Sequence, residues 1–555
     1  MFDFLKNGAH IFKKKQEDIL SAAFVIGASF AISKLLGLVR LRLLASYFGG
    51  NIKLLDALLA VSVFQDSIFE IFIFGSIALA FIPVFSKYLS RDKLDKAWVL
   101  ASTMITLGFV LFLIIAILFL FFADFITPVL APGIVKKFPE LQKTMAHLLQ
   151  IMLISEVFLV VSIFITGVLQ SFKRFLIPAV ASIFYNVGII ISIIFLVPVF
   201  GIYAPAIGMI LGALLHLIVQ LPLAISLGFK FKLNFDFKNK DVLETFQLMW
   251  PRSITIGLTR LAEVINIALA SVTVVGSIVA LNFAQVLQIA PTAFFATSIS
   301  QAAFAFLSIE FNEGKLAQFK KVFGESFHQI VFLVLPAAAI LAILRIPVVR
   351  LVFGARELPW EITVLTGRVL IAFALGITSQ AVTLLLIRGF HAARDSFTPL
   401  KVSVLTFTLN ICLSVIFIFV FHLPVYWLAL AVSVANITSS AILLYLLNKT
   451  LGGLGNAFFV PLVKMLAITI MMAISLYVPM KLLDQLVFDT TRTVGLILLT
   501  AIASTVGIAV YLVLSYIFKI DELLTFWIFA KRVISFPSRL KAPEPTSIEG
   551  QPPTT

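Results

Sequence analysis

Three basic residues lie inside the first long apolar stretch of the chain, residues 19–47: Lys34, Arg40 and Arg42. Lys34 and Arg40 stand at a depth that a membrane-spanning helix would carry into the hydrocarbon. An ionisable residue there is costly unless it faces a cavity or finds a partner. Cations in the wall of a cavity would suit an anionic ligand such as a phosphate. The alternative is that Arg40 extends its guanidinium to the outer interface.

Carboxylates occupy the next apolar stretch, residues 54–86. Asp66 and Glu70 are four residues apart, which places them on one face of a helix. Buried charges are usually paired, so these two residues are predicted to neutralise the cations of the first stretch. The alternative is that they bind a cation or a proton.

A third set of charged residues lies in the second part of the chain. Arg260, Glu263 and Asn266 follow one another at i, i+3 and i+6, on one helical face. An internal Arg–Glu pair either holds helices together or acts as a gate that breaks in one of two conformations. Glu156 and Arg368 are isolated in other apolar stretches, where they face a cavity or pair with each other.

Motifs of enzymatic catalysis are missing from the sequence. It contains no P-loop and no HExxH, GxSxG or CxxC pattern. Cys412 is the only cysteine, which excludes a disulfide framework and a multi-cysteine metal site. We therefore expect neither enzymatic activity nor transport powered directly by ATP. Coupling to an ion gradient or to the membrane potential stays open.

The elements that must carry these residues are membrane-spanning helices. The chain has 555 residues, of which 61% are hydrophobic and 12% charged, with a mean hydropathy of +1.10. Soluble domains are about half apolar and about a quarter charged, so an all-α polytopic membrane protein is predicted. Fourteen segments satisfy the length of roughly 20 apolar residues that a span requires. These predicted spans are 19–47, 54–86, 98–124, 144–170, 176–198, 203–228, 243–271, 278–308, 323–350, 362–387, 400–421, 425–447, 457–480 and 493–518.

The net charge of +15 comes from basic residues whose distribution along the chain indicates the membrane topology. Most Lys and Arg residues lie in the N-terminal arm, the even-numbered connections and the C-terminal tail, and few lie in the odd-numbered connections. Because Lys and Arg mark the cytoplasmic side, both termini are predicted to be cytoplasmic. The basic residues would then contact anionic lipid heads. No folded basic domain is present, so no nucleic-acid partner is expected.

An internal repeat divides the spans. Phe172, Pro178 and Asn186 recur 218 to 224 residues further along as Phe390, Pro399 and Asn410. Spans 1–6 and 7–12 are therefore predicted to be two parallel repeats, with a substrate site between the two lobes. The expected parts are an amphipathic arm (1–18), an N-lobe (19–228), a linker (229–242), a C-lobe (243–450), spans 13 and 14 (451–519) and a partly disordered tail (520–555).

Short motifs through nearly the whole chain add a resemblance. They include Ser33, Leu36-Gly37, Arg40, Phe48-Gly49, Asp56-Ala57, Gly75, the AFIPVF run 80–85, Ala131-Pro132-Gly133, and Phe175 with Pro178 and Asn186. The most specific is RGFHAARD, from Arg388 to Asp395, followed by Thr398-Pro399. Together these motifs resemble the MurJ/MviN family of lipid II flippases.

The resemblance implies a MATE-like fold with two six-helix lobes, beside which spans 13 and 14 form a lipid-facing groove. It implies that an undecaprenyl-linked peptidoglycan precursor moves from the inner to the outer leaflet of the bacterial plasma membrane, with cell-wall synthesis proteins as partners. The family holds the substrate pyrophosphate with cavity arginines. Lys34 and Arg40 stand at two such positions, whereas Phe69 and Gln285 stand at two others. Arg260 is the predicted replacement charge.

The resemblance also bears on the cofactor. Asn266 and Asp395 fall near positions that resemble the family's sodium site, so sodium is the one cofactor implied. Two other functions stay open. One is an ion-coupled exporter of drugs or of another polyprenyl glycan, in which Asp66, Glu70 and Glu263 carry the coupling. The other is a non-transporting scaffold for cell-wall enzymes, suggested by the two uncharged clamp positions.

Overall fold

The computed structural model describes residues 19–71, 80–89, 91, 93–236, 238–490 and 492–523. Throughout these residues the regular structure is helical, as an apolar solvent demands, because a helix satisfies its own backbone hydrogen bonds. The predicted N-terminal arm and most of the predicted tail lie outside the described residues. The helices are α1 (Ile19–Phe48), α2 (Ile52–Phe69), α3 (Ile82–Leu89), α4 (Leu94–Leu130), α5 (Pro132–Lys137), α6 (Glu140–Ser171), α7 (Leu176–Phe200), α8 (Ala204–Ser226), α9 (Lys240–Val272), α10 (Ser277–Pro291), α11 (Thr297–Asn312), α12 (Leu316–Ile343), α13 (Arg345–Phe353), α14 (Trp360–Ala392), α15 (Phe397–Val415), α16 (Tyr426–Thr450), α17 (Asn456–Leu486) and α18 (Thr493–Ile517).

The chain is a multi-pass membrane protein. Ten stretches of the described residues are long and apolar enough to cross a membrane. One of them, Leu176–Ser226, contains both α7 and α8, which are joined by a short 3₁₀ turn and pack closely against each other. Predicted span 2 corresponds to α2 and α3, and predicted span 8 to α10 and α11 with a π-helical turn between them.

Helices pack mainly within each predicted repeat. In the first half of the chain α6, α7 and α8 form a closely packed group, and in the second half α14, α15 and α16 do so. The turn after the first helix of each group has the same backbone conformation. Lys173 and Arg394 both adopt a left-handed backbone, with φ of 59° and 60°. A non-glycine residue rarely adopts this conformation, so its recurrence at corresponding positions is what an internal repeat predicts.

The two halves meet at one end of the molecule. We call the end that carries the odd-numbered connections the odd end, and the opposite end the even end. One hydrophobic core joins first-half residues such as Leu55 and Leu58 to second-half residues of the odd end such as Val279, Phe283 and Phe353. A separate core holds the rest of the second half and includes residues of α17 and α18.

The last two long helices pack beside the second half. α17 contacts α12 and α18, and Tyr511 of α18 donates a hydrogen bond to the carbonyl of Phe332 at 3.0 Å. Their outer surfaces remain apolar. Val463 is 68% exposed and Tyr516 is 77% exposed, which suits contact with lipid rather than water.

Candidate substrate cavity and its gates

A cavity of about 690 Å³ lies among α1, α2, α6, α7, α8 and α10. Lys34 and Arg40 of α1 line it, as do Asp66 of α2 and Asn282 of α10. Lys34 and Asp66 are exposed to this space and Arg40 is half-buried. The structure therefore brings together both cations that the sequence singled out, with one carboxylate opposite them. Such a surface can bind a phosphate group through charge-assisted hydrogen bonds.

Polar contacts with α7 set the orientation of α1. Asn186 donates through Nδ2 to Oγ of Ser33 at 3.1 Å, and the Ser33 hydroxyl donates to the carbonyl of Ser182 at 3.3 Å. Ser33 directly precedes Lys34, so these bonds fix the rotation that turns Lys34 toward the cavity. Both Ser33 and Asn186 belong to the sequence motifs, but only the fold makes them partners.

Arg260 lies in an ion cluster that connects the two halves. Its Nε donates to Oε2 of Glu70 at 2.7 Å, and Nη1 donates to Oε2 of Glu263 at 2.5 Å. Nη2 makes a further bond to Glu70. Gln285 donates to Oε1 of Glu263 at 3.0 Å. Glu70, at the end of α2, thus pairs with Arg260 of α9.

Glu156 of α6 faces a smaller cavity of about 230 Å³ beside the first one. Asp66, Glu70, Tyr185 and His216 also line it. Only 1% of Glu156 is exposed, and its Oε2 has no hydrogen-bond partner. No ion pair joins Glu156 to Arg368 among the described residues. Arg368 is exposed on α14. Two alternatives were predicted for Glu156, pairing with Arg368 or facing a cavity, and the structure shows the second.

Asn266 and Asp395 lie in different places. Asn266 is buried, donates to Oδ1 of Asn410 at 3.2 Å and accepts from the Ser414 hydroxyl at 3.0 Å. Asp395 accepts the backbone N–H groups of Phe397 and Thr398 at the start of α15. Thirteen residues of helix separate Phe397 from Asn410, or about 20 Å, so the two predicted residues do not share one ion site in this structure.

The odd end is closed by a carboxylate from α2. Asp56 is 3% exposed, and its oxygens accept the backbone N–H of Gly276 at 2.6 Å and of Val279 at 2.9 Å. These N–H groups lie at the N-terminus of α10, where they have no acceptor within the helix and where the helix dipole is positive. Gly276 has a φ of +89°, which turns its N–H toward the carboxylate. We call this contact the Asp56 latch; the sequence pointed to Asp56 only as part of a motif.

Close backbone packing supports the Asp56 latch. The N–H of Gly133 donates to Oγ of Ser271 at 3.0 Å, and a Cβ on Gly133 would lie only 2.0 Å from the Ser271 carbonyl oxygen. The ammonium of Lys137 bonds the carbonyls of Val272, at 3.3 Å, and of Thr273. These partners come from α5 and from the end of α9, so the contact again joins the two halves.

The even end has a smaller contact between the halves. Tyr88, after predicted span 2, donates to the carboxylate of Asp241 at the start of α9. Lys87 and Glu244 lie 3.4 Å apart, but both side chains are exposed, and such pairs stabilise a protein little. Burial, together with the hydrogen bond to Asp241, raises the pKa of Tyr88 to about 12.

The sequence of the chain matches a protein-family model. The sequence model described as "Lipid II flippase MurJ" matches residues 44–498.

The chain belongs to the MurJ family of lipid II flippases.

Relatives in this family are similar over most of their length. The "Probable lipid II flippase MurJ" of Buchnera aphidicola subsp. Acyrthosiphon pisum is 27% identical over 472 residues, 84% of this chain and 91% of that protein. The protein of the same name from Thermotoga maritima is 28% identical over 419 residues, 75% and 82% of the respective chains.

Solved structures share the fold. "Lipid II flippase MurJ, inward closed conformation" superposes with a TM-score of 0.72 at 24% identity, covering 90% of this chain and 99% of that one. An inward-facing multidrug resistance MATE family transporter of the MOP superfamily superposes with a TM-score of 0.63 at 13% identity, covering 76% and 95%. The predicted MATE-like fold is thereby confirmed.

Two clamp positions where the resemblance implies arginine are built differently in this member of the MurJ family. Phe69 is buried and packs edge-to-face on Phe112. Gln285 is hydrogen-bonded to Glu263. Neither side chain offers a charge to an anion, and the nearby Arg260 is held by two carboxylates. In this conformation the cationic part of the cavity is therefore Lys34 and Arg40.

Proposed function

We propose that this protein flips lipid II, the lipid-linked peptidoglycan precursor, across the bacterial plasma membrane. The observation that carries the proposal is the large cavity with Lys34 and Arg40 in its wall, in a chain of the MurJ family. The pyrophosphate would bind between these two cations. Arg40 can form two parallel hydrogen bonds with phosphate oxygens, whereas Lys34 supplies a point charge.

Alternating access follows from the two ends of the molecule. The Asp56 latch and the Gly133–Ser271 contact close the odd end. We assign the odd end to the outside, because its connections carry few Lys and Arg residues. With this assignment both termini would be cytoplasmic, and twelve of the fourteen proposed spans would form two six-span lobes. The lobes would rock about the cavity to expose the head group on the other side.

Arg260 would contact the substrate only after its ion pairs change. Glu70 and Glu263 occupy its guanidinium, so it can bind phosphate only after one carboxylate is displaced. We propose that the cluster holds the two lobes together until the substrate anion competes for Arg260. An ion pair that exists in only one conformation biases the equilibrium between the two.

Spans 13 and 14 would guide the lipid tail. The apolar outer surfaces of α17 and α18 can keep the undecaprenyl chain in contact with lipid while the head group crosses. Enzymes that make or consume the lipid-linked precursor are the protein partners that we expect.

Sodium does not fit the two residues that the resemblance implied. Asn266 is already bonded to Asn410 and Ser414, and Asp395 caps α15. Within the described residues no group of three or more His, Cys, Asp or Glu is arranged to hold a metal ion.

A vesicle assay tests the proposal. The purified protein is reconstituted with lipid II, and head groups that reach the far leaflet are counted. Arg40→Ala should lower the rate about 10- to 100-fold, because a hydrogen bond to a charged group contributes about 1.5–3 kcal/mol. Arg356→Ala is the matched control, since Arg356 is exposed at the odd end outside the cavity.

Complementation provides an independent test in cells. The wild-type gene should restore growth to a bacterium depleted of its lipid II flippase, and the Arg40→Ala gene should not. Failure of the wild type to rescue would contradict the proposed function, whereas full activity of Arg40→Ala in vesicles would contradict the binding of pyrophosphate by Arg40. Rescue by the wild type would also exclude a non-transporting scaffold.

A further inference from the structure

The small cavity beside Glu156 has a polar group that the flippase mechanism above does not use. Glu156 is almost completely buried, and its Oε2 lacks a hydrogen-bond partner. An isolated ionised carboxylate in such a place is so unfavourable that the group takes up a proton instead. A protonated carboxyl is the only form of Glu156 that suits this structure.

Asp66 connects the small cavity with the large one. Its side chain lines both spaces. The two carboxyls thus lie where the small cavity adjoins the substrate cavity. A proton that enters through the large cavity reaches Asp66 first and Glu156 second.

Among the described residues that line the small cavity there is no Lys or Arg that could replace this proton. From α2 come Asp66 and Glu70, from α7 Tyr185 and from α8 His216. Glu70 is itself bound to Arg260 of α9. α4, which also packs on α6, carries no ionisable residue between positions 100 and 123. On α1, Lys34 and Arg40 face the large cavity.

His216 is held in a way that prevents it from taking the proton at Nδ1. The hydroxyl of Ser162 lies 2.6 Å from this nitrogen, and Nε2 of Gln220 lies 3.2 Å away. Because an amide nitrogen can only donate, Nδ1 acts as the acceptor. The free proton-binding capacity of the pocket is therefore that of the carboxyls.

We propose that Glu156 and Asp66 form a proton-binding site that is loaded in the substrate-free conformation, so that the empty protein carries a proton as it returns. This inference rests on the proposed flippase function. The proton comes from the aqueous phase open to the cavity, forms an O–H bond on a carboxylate, and leaves to water when the lobes have rocked. Intramembrane carboxylates have this role in other transporters.

Infrared spectroscopy of the protein in lipid nanodiscs tests the site directly. At neutral pH the wild type should show the C=O stretch of a protonated, non-hydrogen-bonded carboxylic acid. Glu156→Gln should lose this band, and the matched control Glu313→Gln, in an exposed pair with Lys315, should keep it. Gln mimics the neutral acid in shape, so the variant should fold. Absence of the band, or its persistence in Glu156→Gln, would overturn the proposal.

Transport in vesicles tests the coupling. With the membrane potential clamped at zero, a one-unit pH difference, acidic on the odd-end side, should accelerate multiple-turnover flipping severalfold in the wild type. Glu156→Gln and Asp66→Asn should flip at a rate that no longer depends on the gradient. An unchanged gradient response in both variants, or a response only to sodium, refutes the coupling. If the wild type moves no lipid II, the proposed function fails, whereas the infrared result still decides the proton site.

Discussion

Asp56→Asn is expected to open the odd end. Asp56 accepts two backbone N–H groups at the N-terminus of α10, and Asn can accept only one of them because its NH₂ group faces the other. A hydrogen bond to a charged acceptor contributes about 1.5–3 kcal/mol, and the charge at a helix N-terminus about 0.3–1 kcal/mol. The closed state should therefore lose about 2–4 kcal/mol relative to an open state that lacks the Asp56 latch, and its population ratio should fall at least about 30-fold.

Thiol labelling measures this change. Ala270 is fully buried on α9 near the odd end, and Ala270→Cys reports each opening as reaction with a membrane-impermeant maleimide. Cys412 is exposed and is replaced by Ser. With opening faster than labelling, the rate is proportional to the open population, so Asp56→Asn should label at least about 30-fold faster.

A control variant separates the loss of the Asp56 hydrogen bonds from the loss of a negative charge. Asp124→Asn makes the same chemical change at the odd end, where Asp124 is exposed, and it should leave the labelling rate unaltered. Equal rates for Asp56→Asn and the unmodified background would refute the Asp56 latch. Equal acceleration by Asp124→Asn would show that net charge, not capping of α10, controls the odd end.

Three further outcomes are expected. Gly133→Ala should prevent closure and abolish flipping, because its Cβ would lie 2.0 Å from the carbonyl oxygen of Ser271; flipping within twofold of wild type would contradict this. Asp395→Ala should lower the free energy of unfolding by about 1 kcal/mol at neutral pH. Burial acts to raise the pKa of Asp395, but hydrogen bonds from Thr398 and Phe397 outweigh it and lower the pKa. The stabilisation is therefore present above the unfolded pKa and lost as pH falls through the folded pKa, so thermal unfolding should distinguish the variant from wild type only at the higher pH. Tyr88→Phe should remove the hydrogen bond to Asp241 and weaken even-end closure by about 1 kcal/mol, seen as severalfold faster labelling of a cysteine placed there; an unchanged rate would show that this bond does not hold the even end.

The membrane class could be predicted because its cause is local. An apolar run long enough to cross the bilayer must form a helix whatever it packs against. The turns at Lys173 and Arg394 have nearly equal φ values because corresponding residues follow each other in the same order in both halves. Lys34 and Arg40 could likewise be expected to face a cavity, since a cation at that depth has few other places to go.

Pairings between distant residues depended on the tertiary structure. Spacing placed Glu70 beside Asp66 on one helix face, but only the approach of α9 decided that Glu70 binds Arg260. Spacing also left Glu156 with two alternatives, which the exposed position of Arg368 resolved. A charge pattern fixes which residues need a partner, whereas the relative position of helices fixes which partner each one finds.

The sequence alone therefore determined that this protein spans the membrane repeatedly and that a few charges lie among apolar residues. The tertiary structure decided that Asp56 caps α10, that Arg260 is bound between two carboxylates and that Oε2 of Glu156 has no hydrogen-bond partner. The physical reason is the separation along the chain between the groups that interact. Helix formation and transfer into lipid act on neighbouring residues, whereas a hydrogen bond acts over about 3 Å between groups that may be 200 residues apart, so it exists only once the helices have packed.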